Sequence, residues 1–147
     1  MQLPKFSLPA SDGKTYTDKD WKNKKVVLYL YPKDATPGCT LEANDFQQLY
    51  KAFQTSEFEI FGLSKDSVTS HEKFCSAQEL EFPLLSDAEG TLISGLSSWI
   101  EKTLMGKTYM STDRSTFILV NGKIVKEWRG VKPAGHAVEV LEFCQNY

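Results

Sequence analysis

KKVVLYLYPKDATPGCT, residues 24–40, holds the key to the fold. Its VVLYLY run is β-branched and aromatic with polar residues only ahead of it, which predicts a strand buried on both faces. Pro32 ends that strand. Thr36 then suits a helix N-cap and Pro37 the first helical position. Beyond them comes Leu41, and then Phe46, Leu49, Tyr50 and Phe53 recur at three- and four-residue steps, the spacing of a helix. EFEIFGLS, residues 57–64, is a second buried run. Strand, helix and strand within about 40 residues make a βαβ unit with a parallel pair.

The rest of the chain extends this plan. A second helix is expected from Ser67 to Glu79, extended chain at FPLLSD, and a short helix over 90–96. Residues 97–113 read as a long loop. STFILV, Asn121-Gly122 and KIVKEWR form a hairpin, because Asn-Gly is the preferred type I′ turn. Residues 135–145 close the chain as a helix carrying Val138, Leu141, Phe143 and Cys144. The expectation is an α/β protein of the thioredoxin-like fold: a central mixed β-sheet flanked by helices, with an added β-hairpin, in a single domain spanning 1–147.

Composition narrows the function. The 147 residues are 41% hydrophobic and 24% charged, with a net charge of −2, the balance of a globular protein able to bury a core. No basic block points to nucleic acid. No apolar run approaches the roughly 18 residues of a membrane span, and the first residues lack a signal-peptide core, so a cytoplasmic protein is expected. Three cysteines without a CxxC pair make neither a disulfide scaffold nor a zinc site.

Cys39 has a distinctive setting. It falls in the first turn of the helix after Pro37, where free backbone N–H groups and the helix dipole favour negative charge. A thiol held there is disposed toward the nucleophilic thiolate. Gly38 beside it has no side chain to cover the sulfur. The loop also sits at the carboxyl end of a parallel strand, where α/β sheets carry their sites. An inert buried cysteine is the plain alternative.

Pro32, Thr36 and Cys39 fit a Pro-x-x-x-Thr-x-x-Cys pattern, and YPKDATPGCTLEA, FPLLSD and DRSTFILVNGKIVKEWRGVKPAGH accompany it. Over nearly its whole length the chain resembles the peroxiredoxins, in particular the bacterioferritin comigratory protein or peroxiredoxin Q branch. The resemblance implies a thiol peroxidase for hydrogen peroxide and organic hydroperoxides that needs no metal, haem or flavin. It implies that Cys39 is the peroxidatic cysteine and that Arg114 holds its thiolate and polarises the peroxide. It further implies that Thr36 hydrogen-bonds thiolate and peroxide, and that Pro32 shields the site from water. Thioredoxin or a similar dithiol protein would be the reductant, and a monomer is implied.

Many members of that branch carry a second cysteine five residues after the first; here the position is Asn44. A branch variant places it in the following helix, and HEKFC resembles that variant, which nominates Cys75 as the resolving thiol. Cys144 reads as a core residue. A disulfide needs Cα atoms within about 7 Å, so the first turn of the Cys39 helix, and the Cys75 helix with it, are expected to unwind locally. A one-cysteine cycle and a non-enzymatic redox sensor or chaperone remain alternatives. Glu42 could pair with a cation or merely complement the dipole. Trp128 could line a pocket or the core, His71 reads as a helix-surface residue, His136 has no evident role, and Arg129 with Lys132 makes a small basic spot.

Overall fold

The computed structural model describes residues 2–147. A short hairpin opens it, β1 (Ser7–Pro9) and β2 (Thr15–Thr17), followed by a 3-10 turn at Asp18–Trp21. The predicted βαβ unit follows as β3 (Lys25–Leu30), α1 (Pro37–Gln48), α2 (Tyr50–Thr55) and β4 (Phe58–Ser64). Then come α3 (Val68–Gln78), β5 (Leu84–Ser86), α4 (Thr91–Gly95), β6 (Trp99–Leu104), β7 (Lys107–Thr112), β8 (Ser115–Val120), β9 (Lys123–Trp128) and α5 (His136–Gln145).

Five strands form the central sheet in the order β5-β4-β3-β8-β9. β3 runs parallel to β4, and β4 to β5, while β8 is antiparallel to β3 and to β9. The sheet is therefore mixed, as expected. Because side chains alternate across a strand, Val27, Tyr29 and Tyr31 face one core with Phe46, Phe53, Phe74 and Val140, which places α1, α2, α3 and α5 on that side. Val26, Leu28 and Leu30 face the other, against Trp21, Leu92, Ile93 and Leu96.

Three local readings change. The helix between β3 and β4 breaks at Leu49 (φ −98, ψ 7) into α1 and α2. Its inward stripe is Cys39, Glu42, Ala43 and Phe46, whereas Leu41 is exposed. Residues 97–113 are not a loop: β6 and β7 pair antiparallel, Leu104 opposite Lys107. Met105 and Gly106 both take positive φ at that turn, as Asn121 and Gly122 do in the hairpin that was foreseen. Most of β6 and β7 is exposed on both faces, so no apolar alternation marked the pair.

Candidate active site

The carboxyl end of β3 positions the centre. After Tyr31, half-buried Pro32 begins a loop that ends at Thr36, and α1 starts with Pro37, Gly38 and Cys39. Thr36 has the extended backbone of an N-cap (φ −85, ψ 155) but makes no side-chain cap. Its hydroxyl instead donates to the Lys33 carbonyl at 2.9 Å, which closes the loop on itself. Cys39 occupies the third helical position and is buried, 2% exposed.

Sheet register brings the arginine to it. Leu30, the last residue of β3, lies opposite Ser115, the first of β8, so Arg114 falls beside the loop that follows β3. Arg114 Nη2 lies 3.3 Å from Cys39 Sγ, and Nη1 donates to Glu42 Oε1 at 2.8 Å. Its own carbonyl is anchored by the Val131 N–H at 2.8 Å. One planar fork thus spans a thiol and a carboxylate a helical turn apart, a geometry that suits guanidinium and not ammonium. Burial works against the Arg114 charge, and Glu42 and Cys39 outweigh it, so its pKa moves further up. A Cβ on Gly38 would sit 3.3 Å from Arg114 Nη2 and 3.4 Å from Pro133 Cγ, so a side chain there would press the guanidinium to give by a few tenths of an ångström.

Glu42 resolves its open reading in favour of the ion pair. It is fully buried, and Oε2 has no hydrogen-bond partner. Burial raises its pKa to about 7, against the pull of Arg114. Helical spacing held the signal: Glu42 stands three residues after Cys39, on the same face.

Cys75 is half-buried on α3, its Sγ donating to Ser11 Oγ at 3.4 Å, and burial raises its pKa. Cys39, Cys75 and Cys144 are all free thiols. Cys144 is buried on α5, where burial pushes its thiol up to about 12. Asn44, in place of the branch's usual second cysteine, donates to Gln78 Oε1 at 3.0 Å and so ties α1 to α3.

Other expectations shift. His71 is not a surface residue; it is completely buried against Asp34. Sequence reasoning missed this pair, although His71, Phe74, Cys75 and Gln78 share one helical face. Arg129 is no free basic spot, because it donates to the carbonyls of Leu96 and Ser97 and to Glu127. His136 is buried, which lowers its pKa, with Nε2 2.7 Å from Thr116 Oγ1. Trp128 is half-buried and packs edge-on against His136 and Phe143. No helix among the described residues is long and apolar enough to cross a membrane.

A helix-start thiol after a parallel strand, in reach of an arginine just ahead of the antiparallel β8, stands on a thioredoxin-like fold of the thiol-dependent peroxidase class. The chain belongs to the AhpC/TSA family, whose model matches residues 1–127. It is 42% identical over 142 residues to "Peroxiredoxin Bcp" of Bacillus subtilis, covering 96% of this chain and 90% of that one. Among solved structures it resembles Xanthomonas campestris peroxiredoxin Q, with a TM-score of 0.92 and 40% identity over 97% of this chain and 90% of that one. It also resembles a trapped intermediate/ligand complex of the bacterioferritin comigratory protein from the same organism, described for its alkyl peroxide reduction activity, with a TM-score of 0.91 and 39% identity over 96% and 90% of the two chains.

Proposed function

We propose that Cys39 is the peroxidatic thiol and Arg114 the group that activates the peroxide. The observation carrying this is the single guanidinium that reaches both Cys39 Sγ and Glu42 Oε1. The Cys39 thiolate attacks one peroxide oxygen, the O–O bond breaks, and the leaving oxygen departs as water or an alcohol after taking a proton. Negative charge grows on that leaving oxygen, so a fixed guanidinium and helix-start N–H groups stabilise the transition state more than the substrate. Thr36 and Pro32 frame the loop: the Thr36 hydroxyl gives its one hydrogen to the Lys33 carbonyl, which leaves its oxygen to accept from a protonated peroxide oxygen, and Pro32 is a cover against water.

Cys75 then condenses with the Cys39 sulfenic acid. The S–S bond forms, the S–O bond breaks and water leaves. Serine variants of the Xanthomonas protein at two cysteines 36 positions apart are among the similar structures, and Cys39 and Cys75 have that separation here. Hydrogen peroxide and organic hydroperoxides are the substrates, a thioredoxin-type dithiol protein returns the electrons, and the chain works in the cytoplasm as a monomer of one domain over 1–147. A coupled assay with NADPH, thioredoxin reductase and thioredoxin tests this reading. Cys39→Ser should abolish peroxide-dependent turnover, and Cys75→Ser should leave a single burst. Full turnover by Cys39→Ser would sink the proposal, and steady turnover by Cys75→Ser would reduce it to a one-cysteine cycle.

A further inference from the structure

A polar network beyond the thiol centre fastens its loop to α3. Asp34, two residues before Thr36, accepts the Tyr31 hydroxyl on Oδ1 at 2.6 Å and Ser70 Oγ on Oδ2 at 2.8 Å. His71 Nδ1 lies 2.7 Å from the same Oδ2. The other ring nitrogen, Nε2, faces the Leu85 carbonyl at 2.9 Å. A carbonyl only accepts, so Nε2 carries a hydrogen, and Nδ1 can bond the carboxylate only with a second proton between them. Burial opposes charge on Asp34, yet the bonds from His71, Tyr31 and Ser70 overcome it and hold its carboxyl below the ordinary range. A proton therefore lies between Nδ1 and Oδ2, and both side chains are almost wholly sealed from solvent (0% and 3% exposed). The Asp34 N–H also donates to Asp66 Oδ2 at 2.9 Å, an oxygen that Ser64 Oγ reaches at 2.6 Å. Asp34, Asp66 and His71 present donor atoms within 4.8 Å of one another, a spacing a cation could use, and the hydrogen bonds above already engage those atoms.

The two ends of this pair belong to the two segments that must rearrange before Cys39 and Cys75 can meet. Asp34 sits in the loop leading into Cys39, and His71 lies one helical turn before Cys75 on the same face of α3. A buried hydrogen-bonded pair resists partial opening, because separating it strands polar groups away from water. It behaves as closed or open, with little between.

We propose that Asp34 and His71 form a latch, two positioning residues that hold the Cys39 loop against α3 during peroxide attack and set how often it opens toward Cys75. While the latch is closed, Cys39 keeps its contact with Arg114. When it parts, the Cys75 sulfur attacks the Cys39 sulfenic acid, the S–S bond forms, and the hydroxyl leaves as water with the proton that Cys75 releases. A latch that stays closed leaves the sulfenic acid to a second peroxide, which oxidises it to sulfinic acid. This last consequence rests on the Cys39–Cys75 pairing proposed above; the latch itself does not.

Hydrogen–deuterium exchange of the reduced protein tests it directly. His71→Asn should speed exchange across residues 33–41 on the order of tenfold, the scale of one lost hydrogen bond to a charged group, and leave α5 unchanged. Asp34→Asn combined with His71→Asn should speed exchange by less than the two single variants taken together, since the two share the Asp34–His71 contact. At equal peroxide doses His71→Asn should also yield less Cys39 sulfinic acid. Unchanged exchange over 33–41 in a folded variant overturns the latch, and so does acceleration spread evenly over the chain. If His71→Asn does not fold, Ser70→Ala carries the same test with a smaller expected rise. Peptide mapping that joins Cys39 to Cys144, or only to a second chain, removes the Cys75 pairing and leaves the exchange result to judge the latch.

Discussion

Arg114 Nη2 and Cys39 Sγ lie 3.3 Å apart although 75 residues separate them in the chain. The contact is made by backbone pairing, and only a forked donor can serve sulfur and Glu42 together. Arg114→Lys should lower kcat/KM for hydrogen peroxide by about 100-fold, the usual cost of losing one fixed transition-state donor. Steady-state kinetics on the folded variant reads this; a loss below threefold would mean that the charge alone suffices.

Gly38→Ala separates activity from stability. Its backbone is helical, where alanine is favoured over glycine by up to about 1 kcal/mol. The added methyl would stand 3.3 Å from Arg114 Nη2 and crowd the guanidinium off the sulfur. Peroxidase activity should fall about tenfold, the effect of a small misplacement at a reacting centre, while the urea midpoint holds or rises. Normal kinetics would show that Arg114 has room to shift.

Glu42 gives the fold a pH dependence of known sign. Its pKa rises from 4.5 to about 7 in the folded chain, so the folded state binds that proton more tightly than the unfolded one. The contribution is complete below about pH 4.5, shrinks as pH climbs, and is gone above about pH 7; it amounts to roughly 3 kcal/mol. Glu42→Gln cannot ionise. Denaturant midpoints measured from pH 5 to pH 8 should therefore fall in the parent relative to Glu42→Gln, and parallel curves would place the titration elsewhere.

Cys144 is buried in the core, and the proposed cycle does not use it. Cys144→Ala should cost roughly 1 kcal/mol of stability through lost packing, with steady-state turnover unchanged. Thermal melts and the coupled assay check the two halves independently. Loss of turnover after the first equivalent of peroxide would move the resolving role to α5.

Much of this centre was legible because its signals are local. Pro37, Gly38 and Cys39 follow helix-start rules over four residues, and Asn121-Gly122 marks its own turn. The Asp34–His71 pair was not legible, since 37 positions separate the partners and SHEKF reads as a polar helix surface. Only the packing of α3 against the β3–α1 loop turns His71 inward. The β6–β7 hairpin escaped for the opposite reason: exposed on both faces, it has no buried side to impose a pattern, and Met105 is an uncommon residue at a positive-φ turn. Thr36 was placed at the right cap, but its hydroxyl chose the Lys33 carbonyl.

The pairing of Leu30 with Ser115 also makes the chemistry a matter of counting. Side chains along a strand alternate in direction. One residue inserted in β8 after Thr116, with the later pairing kept, would turn the Arg114 side chain to the opposite face of the sheet. Two would restore the face but carry it about 7 Å along the strand. Neither insertion touches a residue of the centre, and each would silence the sulfur.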